Sequence, residues 1–489
     1  MFNDMFGNDF SFSEAEALDT MRKAISADYG YADAPTSRTQ GGALQTESLD
    51  ATLKSVTWNL KNLKFWPTIA KERAYNVVEE YDRQTSYGEQ GEGGFFDANK
   101  SSLPPSGDAQ FNRQIQRVRY IGTTRSVTHP MTLVRTVDST AIALQVEAGT
   151  KWILEQMERQ LWSANGYFVD AATGVADGNT ADLPVDSVNI KYNGVDQQIR
   201  YGQVDTKAQY SGFDGFDGNN DPILDMATAG VASVPDEDDL TELALKQSLN
   251  HGVPTDLFCS LKTAADISRQ MLPKEWISPP GQEGRGGYLL TSFISASGVF
   301  NIVGSRFLQP RSGPLTSALS SAPATPTISA TGTEADTTSK LQAGTYYYKV
   351  SAVGAYAESI GSAESSQAVT AGNRITVTIP AGTAGAIAYN VFRSSTTGSG
   401  WEYIGSVKDS SGNGGGAVFR DHGDYLPGHA HAYLLQQDNY NLMWRQLAPL
   451  LKIELATISP SMRWMQVLYG TPIVYAPLHH AIMDNIGEA

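Results

Sequence analysis

Between Pro314 and Gly428 the chain abruptly loses charge and fills with Ser, Thr, Gly and Ala, and short apolar runs recur between turn residues. The Arg-, Trp- and Met-bearing text that stops after Gln309 resumes at His431. A block of this kind reads as a guest module set into a host domain, and an inserted domain requires its two ends to lie close together on the host surface. The guest gives TPTISATGT, GTYYYKVSAV, RITVTIPAG, AYNVFRSST, WEYIGSV and AVFRDHG, six or seven strands parted by Gly- and Ser-rich turns. Alternation is clear at Tyr346, Tyr348 and Val350 and again at Ile375, Val377 and Ile379. Strand spacing and a span of about 100 residues predict an all-β, immunoglobulin-like or fibronectin type III-like sandwich with no disulfide.

The 489 residues exceed what one core organises and call for several domains. Apolar residues make up 41%, and no run of 18 or more of them is present to span a bilayer, so no membrane partner is expected. The opening MFNDMFGNDFSFSEAEALD has no basic segment followed by an apolar one, which predicts a cytosolic site of synthesis. The single cysteine, Cys259, rules out an intramolecular disulfide and is expected to be buried and inert. The formal net charge of −16 argues against gripping nucleic acid by its phosphates, since each such contact needs a Lys or Arg. An acidic wall beside packed DNA and plain solubility explain that charge equally well.

The host divides by texture into residues 1–54 (an arm), 55–136 (a hairpin and its flanks), 137–166 (one long helix), 167–313 (mixed α+β) and 429–489 (terminal strands), with the guest at 314–428. In the arm, Ser13 and Glu16 form a capping-box pattern ahead of Leu18, Met21 and Ile25 on one helical face. In the hairpin, AYNVVEEYDRQ and FNRQIQRVRYIGTTRSV alternate as strands around the Gly- and Pro-rich tip SYGEQGEGGFFDANKSSLPPSGD. Glu79, Glu80 and Asp82 oppose Arg113, Arg117 and Arg119 in charge. A projecting hairpin buries too little to be stable alone, so these six residues are expected to meet another subunit.

After the N-cap candidate Asp138, Ile142, Val146, Ile153, Met157 and Leu161 recur at helical spacing, with Gly149 on the same face. These residues predict the buried stripe of a spine helix that ends near Asn165 and Gly166, while Gln145, Lys151, Glu155, Glu158 and Arg159 fall on other faces. Further on, VNIKYNGVDQQIRYG reads as a hairpin turning at Asn193 and Gly194, and DEDDLTELALKQSLNHG as a helix. TDLFCSL and GVFNIVGSRFLQ read as strands on either side of the short helix TAADISRQM. LAPLLKIELATI, MRWMQVLYG and PIVYAPL read as three terminal strands whose edges Pro449, Pro460, Pro472 and Pro477 confine.

Catalytic signatures are missing: no GxSxG, Walker A, HExxH or paired CxxC occurs. Asp217, Asn219 and Asp221 have the alternation of a calcium loop, but Pro222 stands where Gly is needed and Thr228 where a bidentate Glu is needed. His422, Asp424, His429 and His431 gather where guest rejoins host, and polar turn residues are expected there as readily as a metal. His479 and His480 are assigned a structural role. No catalytic residue, metal or cofactor is expected.

The order of arm, charged hairpin, spine helix STAIALQVEAGTKWILEQMERQLW, mixed domain and tail NLMWRQLAPLLKIELATISPSMRWMQVLYGTPIVYAPL resembles the major capsid proteins of tailed bacteriophages, of the Hong Kong 97 type. The resemblance implies an α+β fold made of an N-arm, an E-loop, a P-domain with its spine helix and an A-domain. It also implies a structural role, with hexamers and pentamers closing an icosahedral virion head around double-stranded DNA that is not specifically bound. Implied partners are further copies of the chain, a scaffolding protein, a portal and a decoration or cement protein. A phage tail or adhesin protein bearing a surface-binding sandwich is the alternative, and a polysaccharide-acting enzyme with an accessory sandwich is a third reading.

Overall fold

The computed structural model describes residues 60–86, 108–133, 140–164, 192–201, 222–228, 231–271, 290–308, 313–318, 320–336, 339–411, 413–423, 429–456 and 460–487. The arm with Ser13 and Glu16, the hairpin tip with Lys100, the Asp217–Asp221 loop and Asp424 lie outside these residues.

In chain order the structure runs β1 (Ala70–Arg73), β2 (Val78–Ser86), β3 (Gln110–Arg117), β4 (Arg119–Thr128), α1 (His129–Leu133), α2 (Ala141–Ser163) and α3 (Val195–Tyr201). Next come β5 (Ile223–Asp225), β6 (Ala227–Thr228), β7 (Val231–Ala232), α4 (Glu237–Leu249), β8 (Asp256–Ser260), α5 (Leu261–Met271), β9 (Ser292–Ser295) and β10 (Gly298–Ser305). The compositionally distinct block supplies β11 (Ala330–Ala335), β12 (Gly344–Val353), β13 (Ser365–Val369), β14 (Asn373–Ile379), β15 (Ala388–Ser394), β16 (Glu402–Lys408) and β17 (Ala417–Asp421). The chain ends with β18 (Ala430–Leu435), β19 (Leu442–Glu454), β20 (Ser461–Val474) and β21 (Ala481–Ile486). This is an α+β chain in which strands predominate.

A mixed six-stranded sheet, order β5-β21-β18-β8-β10-β9, organises the host. Side chains alternate across β8, so Leu257 and Cys259 enter one core and Phe258 the other. On the first face, α4 contributes Leu240 and Leu243 and α5 contributes Ile267 and Met271. On the second, α2 contributes Ile153, Met157, Leu161 and Trp162, and α3 contributes Val195 and Ile199. A second host sheet, order β1-β19-β20-β4, closes that core with Leu442, Trp444, Leu468 and Val474.

Among the described residues, strands β11 to β17 pair only among themselves, as β11-β14-β17 and β13-β12-β15-β16, around a core of Tyr348, Val350, Ile375, Val377, Tyr389 and Val391. β10 runs parallel to β8 with Ser305 opposite Ser260. β18 runs antiparallel to β8 with Leu435 opposite Asp256. The end of β10 and the start of β18 therefore share one rim of the six-stranded sheet, separated by β8 alone. At ~4.8 Å per strand that gap is about 10 Å.

Several local readings of the sequence change. The spine helix is capped by Thr140, whose side chain accepts from the Ala143 N–H, and not by Asp138; it ends on Ala164. Ile142 and Val146 are half-buried, because the first turns of α2 lie over the edge of the β4–β20 sheet and only the later turns enter the core. Asn193 and Gly194 do not turn a hairpin but lead into α3. Gly194 is dictated by close approach, since a Cβ there would stand 2.7 Å from the Trp162 carbonyl oxygen.

The two strands expected around Pro472 are one, β20. Its partner β4 starts with Arg119 opposite Gly470 and reaches no further along β20, so among the described residues the missing Pro472 N–H faces no strand. The buried Gln198 amide occupies that edge, donating to the Pro472 carbonyl at 3.0 Å and accepting from the Val474 N–H at 2.9 Å.

Candidate assembly surfaces

β2 and β3 form the base of the charged hairpin, in a register that sets Asp82 opposite Arg113, Glu80 opposite Ile115 and Val78 opposite Arg117. One face turns outward. There Arg113 bonds Asp82 at 3.0 Å and approaches Glu80 at 3.5 Å, with all three side chains more than half exposed. The other face packs on the same chain. Tyr81 meets Tyr475 edge-on at 4.9 Å between ring centroids, and Arg83 donates to the Val474 carbonyl at 2.7 Å.

Of the six charged residues singled out in the sequence, Glu80, Asp82, Arg113 and Arg117 lie on the outward face in this register. Glu79 lies on the inner face and accepts from the Tyr75 N–H at 3.0 Å. Arg119 opens β4 and is buried. The opposed charges thus engage first within one chain, because antiparallel pairing brings i and j side chains within reach before any neighbour can.

The segment ahead of β1 is held by a residue the sequence pattern placed on a polar face. Glu158 of α2 is fully buried and accepts backbone N–H groups from Lys64 at 2.9 Å, Phe65 at 2.7 Å and Trp66 at 2.7 Å. Phe65 then stacks on Trp162 at 4.3 Å, pinning the segment that runs into β1. The only advance signal was a carboxylate next to core positions Met157 and Leu161.

A second buried polar cluster sits where β18 and β21 meet α3. Arg200 binds Asp484 through both terminal nitrogens at 2.5 Å and Asp196 through Nε at 2.8 Å. His431 Nδ1 lies 2.9 Å from Asp484, and Tyr433 donates to Asp196 at 3.0 Å. Burial opposes the Asp484 charge, but Arg200 and His431 outweigh it and hold that carboxyl well below the usual carboxylate range. His422 contacts Asp336 at 2.5 Å, in a different part of the chain from the His431 cluster.

Among the described residues no group of three or more His, Cys, Asp or Glu is placed to hold a metal. His479 and His480 stand at a short 3-10 turn, Pro477–His479; His479 Nδ1 lies 2.9 Å from Asn441 Oδ1, and His480 Nδ1 accepts the Gln436 N–H at 3.2 Å. Burial pushes the Cys259 thiol up to about 12. No helix among the described residues is long and apolar enough to cross a membrane.

No family model matches the chain. Among curated proteins it is 23% identical over 287 residues to one from Enterococcus phage phiEF24C that carries the provisional name major capsid protein, covering 57% of this chain and 53% of that protein. It is 25% identical over 108 residues to the major capsid protein of Staphylococcus phage K, covering 22% of this chain and 23% of that protein. The chain thus spans about half the length of the first relative and less of the second. Among solved structures, a gene transfer agent capsid aligns over 93% of this chain and 100% of its own, with 9% identity and a TM-score of 0.42. A structure from Mycobacterium phage Adephagia aligns over 92% of this chain and 98% of its own, with 8% identity and a TM-score of 0.41.

Proposed function

We propose that the chain is a shell-forming major capsid subunit of the Hong Kong 97 type, with residues 1–54 as N-arm, 55–136 as E-loop, 137–166 as spine helix, and 167–313 with 429–489 as the A- and P-domain body. The block at 314–428 is an inserted immunoglobulin-like module. The observation that carries this reading is the sequence match to one phage protein named for the capsid over more than half of the chain, joined by a shorter match to a second. The layout of the hairpin supports it, since the inner face rests on its own subunit and the outer face presents Glu80, Asp82, Arg113 and Arg117.

In the shell, that outward face meets a neighbouring copy, while Glu79 and Arg119 support the hairpin from within. Each exposed ion pair contributes about 0–1 kcal/mol, so strength comes from repetition over a closed symmetric lattice. Hexamers and pentamers build the virion head, assembly uses a scaffolding protein and a portal, and a decoration protein can be added outside. The net charge of −16 suits a wall that faces packed DNA without holding it.

Sedimentation of the purified chain, with and without its scaffolding partner, tests the reading. Capsomers or shells of uniform size are expected. A chain that stays monomeric or trimeric under every condition is instead a tail or adhesin component.

A further inference from the structure

Lys340 stands where the sandwich meets the host. Its backbone N–H donates to the His422 carbonyl at 2.7 Å, tying the approach to β12 to the end of β17. Next to it, Gly423 adopts φ +76° and donates to Asp421, and a Cβ there would stand 2.9 Å from the Leu341 nitrogen. Asp421 in turn accepts from Arg393 at 2.5 Å and from Tyr348 at 2.8 Å, all three being buried. The Lys340 backbone is therefore set beside a buried polar cluster of the sandwich.

Its side chain points the other way, to an ion pair with Asp225 at the end of β5. Asp225 is well placed to hold a cation still. Its Oδ1 accepts from Asn485 at 2.9 Å and from the Ala227 N–H at 3.0 Å, and its strand partner in β21 is Asp484, the residue that Arg200 and His431 grip.

The positions on the sheet give this pair its meaning. The chain leaves the host after β10, returns at β18 and is held again at β5, all on one rim of the six-stranded sheet. From the return at β18 to β5 is two strand spacings, about 10 Å, and from the exit at β10 about 19 Å. Two covalent connections that close together leave a body of this size free to swing about them. A third hold, further along the rim, restricts that freedom.

We propose that Lys340 and Asp225 form a latch that favours one docked pose of the sandwich on the rim of the six-stranded sheet. The proposal stands on this junction and not on the shell reading. Half-exposed ion pairs are weak, so the latch biases docked over swung-out poses by about five-fold.

Spin labels at Tyr356→Cys in the sandwich and Tyr440→Cys in the host, both 88% exposed, report the pose by pulsed dipolar spectroscopy. Buried Cys259 stays unlabelled, and a large excess of unlabelled chain suppresses distances between copies. The parent chain and Lys340→Arg are expected to give one narrow distance distribution. Lys340→Ala, Lys340→Glu and Asp225→Asn are expected to broaden it, with near-ultraviolet dichroism unchanged. Equal narrow widths in all five proteins, or a broad distribution in the parent, would overturn the proposal.

Discussion

The backbone N–H of Phe65 donates to the Glu158 carboxylate at 2.7 Å, joining residues 93 apart in sequence inside the main host core. Lys64 and Trp66 share the same carboxylate. A single helix side chain thereby supplies the acceptor that three consecutive N–H groups need when the segment leading into β1 is buried. The segment that leads through β1 toward the charged hairpin is thus held at its start by this residue, while Tyr81 and Arg83 hold the hairpin base itself.

Replacing Glu158 by Ala strips all three donors of their acceptor, the Phe65 N–H inside the core and the other two at its margin. Each unsatisfied group costs about 1–3 kcal/mol, so a total loss of about 3 kcal/mol is expected on urea unfolding. Glu158→Gln keeps one oxygen in place and is expected to lose less. Equal stability of all three proteins would show that the segment finds other partners.

Acid is expected to unfold the host through His480. Burial, aided by neighbouring His479, lowers its imidazole from 6.5 to about 3 in the fold. The unfolded chain therefore takes up the proton first. Stability is complete above pH 6.5 and falls as pH drops toward 3, by up to about 1.4 kcal/mol per pH unit from this group. Urea midpoints across that range should flatten in His480→Asn, and an unchanged slope would assign the acid sensitivity elsewhere.

Arg393 and Asp421 are 1% and 5% exposed, so removing one leaves the other charge buried. Arg393→Met is expected to destabilise the sandwich by about 3–5 kcal/mol. Hydrogen exchange should quicken in β12 and β15 while β8 and β18 keep their protection. Equal quickening in both sheets would show that sandwich and host unfold as one unit.

Deleting residues 322–428 removes the sandwich strands and leaves 309–321 to bridge a gap of about 10 Å between β10 and β18. At ~3.3 Å per residue that segment is ample. The shortened chain is expected to fold with its six-stranded sheet intact and to retain assembly. Loss of the host fold would contradict an insertion.

Features carried by local chemistry were legible in the sequence. The helix over DEDDLTELALKQSLNHG was readable from the acidic residues at its N-terminal end and the stop at Asn250 to Gly252, and the structure adds a capping box between Asp236 and Asp239. The sandwich strands were readable because Tyr348, Val350, Ile375 and Val377 alternate, although β13, with its Ser-Ser-Gln-Ala-Val run, carries too little apolar character to announce itself. What stayed hidden depends on residues far apart. Glu158 looks like a solvated helix charge until Phe65 arrives, and Asn193-Gly194 looks like a hairpin until Trp162 crowds it. Pro472 looks like a strand end until Gln198 stands in for the missing neighbour. The opposed charges of β2 and β3 were visible, but the register that separates Glu79 from Glu80 and Asp82 was not.

Cryo-electron microscopy of the chain expressed alone and with the proposed scaffolding protein addresses the central claim most directly. Closed icosahedral shells are predicted, with the β2–β3 hairpin of one subunit lying on the next and the sandwich standing off the lattice. Particles in which the chain forms trimers or open fibres, with the hairpin touching no neighbouring copy, would contradict it.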